Sequence, residues 1–568
     1  MLSSAPTGQP SLKVPKENNR FLCWPAAHDS ELLLTRNRSI FAERGLSQWF
    51  RQLRTLAREQ ALSSSKNYMA AYAPTLAQSI SLKDVESTQL VLGGHQPELF
   101  HPGVWFKNFL IHEIGQRTNS LGLQVIIDHD VAKSDTLRVP TCPSWNATTR
   151  TSPEFAQRSI PLPIRNESHP RMPWHATLTG QLNPTAWDKT VEDIQQSLAA
   201  CGLGQPLIQR HSKTLSQSIL ENKNIGDAFS QFRHRIEMEN GIFNLEVPFG
   251  LLCDRSAFGF FVLHCVQNAE SLWGSYNRCR EAYRQRHRIR NQVQPVLELQ
   301  RSADWLELPF WIYRAKGERF VERKRLWVCY QKDHMLLTDH ADANMRTVSV
   351  ELPMSEQALP AAWDAFVQNG ICIRPRALMT TMYLRCFVAD LFVHGIGGAT
   401  YDELTDDIVR DWLGMEPPAY LTSSASLHLP FRSDANIAQI DPSANGHSIQ
   451  RELQLMRSVP ERFLEPSIDS QRALIDLHAR HITNIPQRGH KRKWHTEIAL
   501  IKQQITTAIE PKKQAAYARR EIMQHAVQQN KVLKFREYSF VLFEEKDVVG
   551  RLSKLAKAAF NQGTEAGK

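Results

Sequence analysis

Two stretches of sequence decide the fold: Gln89-Leu-Val-Leu-Gly-Gly-His-Gln-Pro-Glu-Leu-Phe-His-Pro-Gly103 and, after a helical stretch, Val125-Ile-Ile-Asp-His-Asp130. Apolar residues predict one strand at 89–92 and a second at 123–127, with a helix over about 104–116 between them. A strand that is almost entirely apolar is typical of a parallel sheet covered on both faces. This βαβ pattern predicts an α/β fold whose core is a doubly wound parallel sheet with insertions.

The rest of the chain divides into segments with different residue patterns. Residues 305–352 alternate polar and apolar side chains over short runs, which predicts strands joined by turns. We expect residues 1–24 to be poorly ordered and residues 538–543 to form a closing strand or an anchor on the body. The predicted segments are an N-terminal extension and helical segment (1–84), the first part of the core (85–300), an inserted β-rich segment (301–370), the second part of the core (371–446), a helical coiled-coil arm (447–535) and a C-terminal strand and tail (536–568).

The C-terminal arm carries a coiled-coil pattern. Ile498, Ile501 and Ile505 begin a three-four spacing that Ala508 and Ile509 continue. The pattern is too short for a long rod. We therefore expect a projecting antiparallel helical arm through which the protein forms a homodimer.

Composition limits the classes of protein that fit. The 568 residues carry a formal net charge of +10, which is a modest excess for this length. Nucleic-acid binding is therefore an unfavoured interpretation. A pocket for an anionic small molecule explains part of the charge. No apolar run approaches the roughly 18 residues of a membrane span, and residues 1–16 have no signal-peptide core. The nine cysteines are scattered without a Cys-x-x-Cys pair. These features predict a cytoplasmic protein without membrane contact or a zinc site.

The loop after the first predicted strand is the strongest candidate for chemistry. His95 and His101 can donate to phosphate or carboxylate oxygens, or move protons near neutral pH. Gln96 and Glu98 add polar groups in the same short loop, which leads into a helix N-terminus that attracts anions. We expect both histidines to be catalytic. The alternative is a rigid turn in which the histidines only satisfy backbone groups.

A second polar cluster, Asp128-His129-Asp130, closes the next strand. Open α/β sheets bind ligands at such strand ends, so these three residues are predicted to be catalytic. The two carboxylates could hold Mg²⁺, act as a base or orient His129. The prolines in the first loop prevent a helical His-x-x-Glu-x-x-His face, so no metal site is assigned beyond Asp128 and Asp130 as candidate ligands. The alternative is a strand-end turn whose carboxylates cap backbone groups.

The third region is Ala389-Asp-Leu-Phe-Val-His-Gly-Ile-Gly-Gly-Ala-Thr-Tyr-Asp-Glu403. Thr400 and Glu403 form a capping box, which predicts a helix that starts near Tyr401. A glycine-rich turn before a helix N-terminus suits an anion, although tight helix packing explains the glycines equally well. Upstream, two arginines that flank Pro375 could clamp an acidic ligand. The predicted substrate-binding residues are Gln96, Glu98, Lys107, Arg374, Arg376, His394, Gly397, Gly398, Thr400 and Tyr401.

These motifs resemble the bacillithiol biosynthesis cysteine-adding enzyme family (BshC). The family has a Gly-Gln-Gln-x-Gly-Leu-Phe-x-Gly-Pro loop that is similar to residues Gly94–Gly103, and its following helix has an aromatic residue and a lysine, as at Phe106-Lys107. Its Glu-Asp-His-Asp strand end resembles Asp128–Asp130. Its Arg-Pro element and later glycine-rich segment resemble Arg374-Pro375 and Gly397–Tyr401. The order of the motifs is preserved, which places the chain as a distant branch of this family.

The resemblance implies a Rossmann-like core, a dimerising coiled-coil arm and a reaction that joins cysteine to a glucosaminyl-malate acceptor. Amide formation from a free carboxylate is uphill in water, so activation by a nucleotide is expected; no cofactor is assigned, and ATP or ADP with Mg²⁺ is the candidate. This chain departs from the family at His95, Glu98, His101 and Pro102. The departures add acid-base groups and make the identity of the substrate an open question.

We therefore expect a BshC-like ligase or transferase that joins an amino-acid-like group to an acidic small molecule or an amino sugar. In this hypothesis His95 and His101 stabilise a developing oxyanion, His129 carries a proton, and Lys107 anchors charge. One alternative is a nucleotidyltransferase-like enzyme whose His95 loop binds a triphosphate, although no Lys-Met-Ser-Lys-Ser counterpart is present. A further alternative is a non-catalytic assembly protein or a nucleic-acid-binding protein.

Overall fold

The chain folds into a mixed α/β structure, as its pattern predicts. Helices account for 56% and strands for 17% of the structure. No helix among the described residues is long and apolar enough to cross a bilayer. The computed structural model describes residues 12–43, 45–131, 135–143, 154–164, 173–176, 184–291, 296–316, 319–331, 334–431, 442–487 and 491–561.

Strands and helices alternate along much of the described chain. The strands are β1 (Arg20–Trp24), β2 (Leu90–His95), β3 (Leu121–Ile126), β4 (Thr136–Thr141), β5 (Ala156–Pro161), β6 (Leu245–Pro248), β7 (Arg301–Ser302), β8 (Trp305–Lys316), β9 (Arg319–Tyr330), β10 (His334–Thr338), β11 (Ser349–Pro353), β12 (Ile371–Pro375), β13 (Leu391–His394) and β14 (Tyr420–Ser426). The helices are α1 (Ser30–Phe41), α2 (Gln48–Met69), α3 (Pro74–Ser79), α4 (Pro102–Thr118), α5 (Pro184–Ala200), α6 (Leu207–Arg210), α7 (Ser212–Glu221), α8 (Ile225–Glu239), α9 (Phe249–Cys253), α10 (Ser256–Gln267), α11 (Ala269–Arg286), α12 (Leu359–Gln368), α13 (Ala377–Tyr383), α14 (Ile396–Ile408), α15 (Pro442–Ser458), α16 (Asp469–Thr483), α17 (Lys491–Ala508), α18 (Glu510–Leu533) and α19 (Glu545–Ala558).

The first sheet has six strands in the order β1-β14-β13-β2-β3-β6. Its strands are parallel except β1, which pairs antiparallel with β14 at one edge. From β2 the chain adds β3 and β6 on one side, and it later adds β13 and β14 on the other side. The chain order therefore reverses between β2 and β13, and such a reversal opens a crevice at the carboxyl ends of the two strands.

Part of the N-terminal segment forms a strand of the first sheet, which its sequence does not suggest. Residues 12–24 are described, and β1 within them hydrogen-bonds to β14, so the expectation of a poorly ordered segment is wrong for these residues. An edge strand is stabilised by the backbone groups of its neighbour, a long-range effect that local composition does not show. Residues 1–11 lie outside the described part of the chain.

Strand β2 is longer at its carboxyl end than predicted and includes Gly93, Gly94 and His95. A Cβ at position 93 would lie 2.5 Å from Cδ1 of Ile111 on α4, so a larger residue there would have to displace the end of that side chain. His95 is therefore held on a paired strand, whereas the sequence placed it in a loop.

The second sheet is antiparallel, in the order β11-β10-β9-β8-β12, and β7 also pairs with β8. Strand β12 pairs with β8 in this sheet. The return of the chain to the first sheet therefore comes with β13 and not at residue 371, where the sequence placed it. As a result, the β-rich sheet carries the Arg374-Pro375 element to the crevice.

The C-terminal arm contains helices α15 to α18. The predicted seam residues Ile501, Ile505 and Ile509 are buried in a cluster with Leu453 on α15 and Leu464. The apolar stripe is therefore covered by other helices of the same chain. That this helical segment packs on a partner subunit stays a prediction.

The predicted C-terminal closing strand is wrong. Phe540–Leu542 form one 3-10 turn, and the backbone N–H of Phe540 donates to the carbonyl of Phe100 at 2.9 Å. The apolar run is buried against α4 and is followed by helix α19. The alternative expectation, an anchor on the body, matches the structure, because the run packs on its side chains and not on a strand edge.

A buried carboxylate joins the two central strands at their amino ends. Asp390 precedes β13 and is 3% exposed. Its Oδ2 accepts from the backbone N–H of Leu90, the first residue of β2, at 2.8 Å, and from Arg58 at 3.0 Å. Its Oδ1 accepts from Arg54 at 2.8 Å. Both arginines come from α2, so one side chain connects two strands and a helix.

We expect Asp390→Asn to lower the free energy of unfolding by about 3–5 kcal/mol, because two buried guanidinium groups lose their counter-charge. Urea denaturation followed by circular dichroism measures the change. The control is Glu17→Gln, which removes an exposed pair with Arg20 and should change stability by less than about 1 kcal/mol. Similar losses in the two variants would contradict the structural role of Asp390.

Candidate active site

A cavity of about 520 Å³ lies at the carboxyl ends of β13, β2 and β3, where the chain order reverses. Residues from the second sheet and from α13 close its other side. The predicted site residues that line it are His95, Gln96, Glu98, Lys107, His129, Asp130, Arg376, His394 and Gly398. Motifs that are some 300 residues apart in the sequence therefore meet in one cavity.

His95 is buried at the end of β2, and its ring is fixed on both sides. Its Nδ1 lies 3.1 Å from the backbone carbonyl of Gln96, and its Nε2 lies 3.3 Å from Oδ1 of Asn108. The ring also packs edge-on against Phe100. Burial lowers the pKa of His95 well below its ordinary value, with further lowering from the charges of Arg233 and Lys107. The histidine is therefore a neutral, oriented group at neutral pH.

The carboxylate of Asp130 is held by two donors from different parts of the chain. Its Oδ2 accepts from Nε2 of Gln96 at 2.9 Å, and its Oδ1 accepts from Arg323 of β9 at 3.0 Å. Arg323 also donates to the carbonyl of His129 at 3.0 Å. These contacts join the first loop, the β3 end and the second sheet into one wall of the cavity.

Lys107 supplies the first positive group of the cavity. It lies on α4 and is 5% exposed, and its Nζ donates to the carbonyl of Gly94 at 2.8 Å. None of the ion pairs found among the described residues includes it. Burial lowers its pKa to about 8, so it remains largely protonated at neutral pH. A buried ammonium without a carboxylate partner favours an anionic ligand group.

Arg376 and Trp311 form the opposite wall. The guanidinium of Arg376 donates to Oε1 of the buried Glu307 at 2.6 Å and lies over the ring of Trp311, 4.6 Å from its centroid. Arg323 lies over the same ring at 4.6 Å. The indole therefore holds both guanidinium groups beside the cavity by cation–π attraction.

Helix α14 directs its N-terminus at the cavity. The helix begins at Ile396 after the N-cap Gly395, five residues before the predicted start at Tyr401. The capping-box prediction is wrong, because the hydroxyl of Thr400 donates to the carbonyl of Ile396 inside the helix. Gly395 and Gly398 line the cavity, so the first unpaired N–H groups of the helix lie next to it.

His394 ends β13 at the same helix. Its Nε2 lies 2.7 Å from Oδ2 of Asp402, and both residues are nearly fully buried. Asp402 in turn accepts from Arg385 at 2.6 Å and from the hydroxyl of Thr381 at 2.6 Å. Sequence reasoning missed Asp402. The available signal was a carboxylate two turns into the helix that follows His394.

Six predicted residues do not line the cavity. His101 is the N-cap of α4, where its Nδ1 accepts from the backbone N–H of Gly103 at 3.0 Å. Burial lowers its pKa to about 3, so the prediction of a catalytic His101 is replaced by its alternative, a residue that satisfies a backbone group. Gly397, Thr400 and Tyr401 are on exposed parts of α14.

The other two residues that do not line it, Asp128 and Arg374, lie behind the cavity wall. Oδ1 of Asp128 accepts from the backbone N–H of Gly250 at 2.7 Å, and burial raises the pKa of this carboxyl to about 7. Arg374 pairs with Asp254 at 2.7 Å. The predicted clamp of Arg374 with Arg376 is therefore wrong, because only Arg376 reaches the cavity.

The residues at the cavity do not fit a resident metal. The cluster of three potential ligands found among the described residues is His211, Glu239 and Glu545, away from the cavity. Asp128 and Asp130, the candidate Mg²⁺ ligands, already accept from protein donors. In the cluster of His211, Glu239 and Glu545, Nε of Arg210 lies 2.6 Å from Oε2 of Glu545 and pairs with it. Among the described residues, the cavity therefore brings together no three ligand groups of the kind that hold a resident Mg²⁺.

Other wall residues were not visible as site residues in the sequence. Trp311 lies in the predicted β-rich segment far from every motif, and Asn108, which contacts His95 from behind the wall, follows Lys107 inside a helix. Arg323 is far from every motif and reaches the site through the pairing of β9 with β8. The chain matches no protein-family model and no curated protein. The site is therefore interpreted from its own geometry.

We expect the stability of the protein to rise with pH as Lys107 loses its proton. Its folded-state pKa is about 8, below the ordinary value of 10.5, so the unfolded chain binds more protons than the folded one between these values. The cost of burying the charge is fully present below pH 8 and is lost as the pH rises to 10. Relative to Lys107→Met, the wild-type protein should gain up to about 3 kcal/mol over this range.

Chemical denaturation at pH 7, 8, 9 and 10 measures this gain. The control is Lys493→Met, at a side chain that is 89% exposed, for which the difference from the wild type should not change with pH. A constant difference for Lys107→Met would show that the lysine is not buried as a charge.

Proposed function

We propose that the protein is a BshC-like ligase or transferase that joins an amino-acid-like group to an acidic small molecule or an amino sugar. One observation supports this most directly. The motifs on which the family resemblance rests contribute to a single cavity, through His95 and Gln96, through His129 and Asp130, and through Pro375 and Gly398.

The strand order supports a Rossmann-like core. Numbered by their order along the chain, the five parallel strands run 3-2-1-4-5 across the sheet. This is the order of the doubly wound dinucleotide-binding fold, and the cavity lies at its switch point. The antiparallel β1 is then an addition at the edge.

The charges of the cavity suit a ligand with separated charges. Lys107, Arg376 and the N-terminus of α14 supply positive groups that fit a carboxylate or phosphate. The Asp130 carboxylate is 43% exposed and adds a negative group that fits an ammonium. An amino acid or an amino sugar with an acidic substituent matches this arrangement.

The joining reaction needs an activated carboxylate. In the proposed sequence a nucleoside triphosphate transfers its terminal phosphoryl group to a carboxylate oxygen of the acid. The amine nitrogen then bonds to the acyl carbon, the bond from that carbon to the phosphate oxygen breaks, and the amine releases one proton. In this proposal the positive groups of the cavity, Lys107, Arg376 and the N-terminus of α14, stabilise the oxyanion and the leaving phosphate.

A ligand screen tests this function. We expect malate, cysteine, an amino sugar or a nucleotide to raise the melting temperature, since a ligand at 100 times its Kd adds about 2.7 kcal/mol. Lys107→Met and Arg376→Gln should weaken binding of the anionic ligand at least about tenfold, the effect of losing one charge-assisted hydrogen bond. The exposed Lys493→Met is the matched control. No stabilisation by any of these classes would overturn the proposal, and pyrophosphate release from ATP would support a nucleotidyltransferase instead.

We also propose that the protein acts as a cytoplasmic homodimer. Eight of its nine cysteines are buried, and none is paired in a disulfide, which suits a reducing compartment. On the arm, Leu477, Ile485, Leu500 and Ile522 are between 43% and 62% exposed and offer apolar surface to a second copy.

The arm surface predicts the outcome of a charge substitution. Leu477→Glu together with Leu500→Glu should shift the protein from dimer to monomer, because the charges would be buried in the interface. Sedimentation velocity measures the shift. Leu220→Glu, at an exposed leucine outside the arm, is the control and should leave the dimer intact. A dimer that persists in the arm variant would place the interface elsewhere.

A further inference from the structure

A histidine and a carboxylate form a buried pair at the cavity wall. Nε2 of His394 lies 2.7 Å from Oδ2 of Asp402. His394 is 4% exposed and Asp402 is 1% exposed, yet the histidine lines the cavity. The pair joins the last residue of β13 to the second turn of α14.

Asp402 is held in place by more than the histidine. Arg385 donates to its Oδ2 at 2.6 Å, and the hydroxyl of Thr381 donates to its Oδ1 at 2.6 Å. Arg385 also pairs with Asp406 at 2.7 Å. Arg385 and His394 hold the pKa of Asp402 well below its ordinary value, so this carboxyl stays ionised.

The ring of His394 has its second nitrogen toward the cavity. With Nε2 at Asp402, Nδ1 is the atom that faces Gly398, where an added Cβ would lie 3.0 Å from it. Gly398 and His394 both line the cavity. The missing side chain at position 398 therefore leaves Nδ1 accessible to a ligand.

Several groups around the ring act on its charge. Asp402 of α14 favours the protonated form, while Arg385 and Lys107 disfavour it, and the ring of Tyr420 on β14 packs edge-on at 4.7 Å. Burial is the largest effect, and it lowers the pKa of His394 below its ordinary value. A neutral imidazole at neutral pH can accept a proton.

We propose that His394 is the general base of this site and that Asp402 is its positioning residue. The inference rests on the proposed function, because it assigns the proton that the amine releases when its nitrogen bonds to the acyl carbon. That proton moves to Nδ1 of His394, and the ionised Asp402 carboxylate, 2.7 Å from Nε2, stabilises the resulting imidazolium. Water removes the proton after the product leaves.

This assignment differs from the sequence-based prediction, which gave the proton to His129. None of the ion pairs found among the described residues joins the His129 ring to a carboxylate, whereas Oδ2 of Asp402 lies 2.7 Å from Nε2 of His394. Asp130, the neighbour of His129, is engaged by Gln96 and Arg323. His129 therefore lacks the oriented carboxylate that His394 has.

The chain offers a matched pair of variants for the test. Asp402→Asn removes the charge that contacts His394. Asp406→Asn removes a carboxylate that also pairs with Arg385, but for which the structure gives no contact with the histidine. Thr381→Val removes one bond to Asp402 without a change of charge, so it remains informative if Asp402→Asn does not fold.

Nitrogen-15 NMR of histidine-labelled full-length protein reads the tautomer and the pKa of His394 directly, with the resonance assigned by its loss in His394→Gln. We expect the wild-type ring to carry its proton on Nε2 at neutral pH. Asp402→Asn should lower its pKa by at least one unit and mix the tautomers, Thr381→Val should shift the same signals less, and Asp406→Asn should leave the tautomer unchanged. A wild-type Nδ1–H tautomer, or equal effects of the two asparagine variants, would overturn the proposal.

A chemical probe tests the proton transfer itself. Hydrolysis of p-nitrophenyl acetate needs a base to activate water, and general-base catalysis is worth about 10²–10⁴ in rate. His394→Gln and Asp402→Asn should each lower kcat at least about 10²-fold with little change in KM, and the pH profile of the wild type should follow the pKa of His394 from NMR. Asp406→Asn should retain the rate. Equal rates in all variants would overturn the assignment of His394 as the base. A failed ligand screen would reject the ligase function, but the NMR signals of His394 and the rates of ester hydrolysis would still test the base.

Discussion

The position of the site depends on the carboxylate of Asp390, which fixes the amino ends of the two strands between which the chain order reverses. It accepts from the first residue of β2 and from two arginines of α2, in a place that is closed to water. A buried carboxylate of this kind is stable only when each of its oxygens is satisfied. Because β2 and β13 are parallel neighbours in a set register, their far ends, at His95 and His394, are placed by the same contacts.

The cavity at the carboxyl ends of β2 and β13 contains two kinds of group, charged side chains and neutral histidines. Lys107 and Arg376 carry charge without being exposed, and each is oriented by the protein, the first by a backbone carbonyl and the second by Glu307 and Trp311. Such preorganised charges do not have to reorient when an anion forms, which is where electrostatic catalysis gains most of its effect. Burial lowers the pKa of His95 and of His394, so both rings are neutral at neutral pH.

Features that depend on a local sequence pattern could be predicted. Features that depend on contacts between distant segments of the chain could not. The βαβ unit was predictable because apolar runs and a helix of period 3.6 are local signals, and nine predicted site residues do line one cavity. The roles of His101 and Arg374 were not predictable, because a helix cap and a partner at Asp254 appear only after folding. Arg323 and Trp311 reach the cavity through antiparallel pairing in the second sheet, for which no nearby sequence gives the register. Asp402 was hidden because the helix begins at Ile396, earlier than the capping pattern suggested.

The loop at His95 resembles a family loop that has glutamine at this position. The histidine does not add the charge that such a difference suggests. A histidine in place of glutamine suggests an added charge, but this ring is buried beside Lys107 and within the field of Arg233, both of which disfavour its protonation. It lies close to a carbonyl and to a side-chain amide oxygen, contacts that an amide side chain also makes. The substitution therefore keeps a neutral polar group at the end of β2 and changes the shape of the cavity more than its charge. A change of shape at an unchanged charge alters which ligand fits the cavity and leaves its positive charge to Lys107 and Arg376.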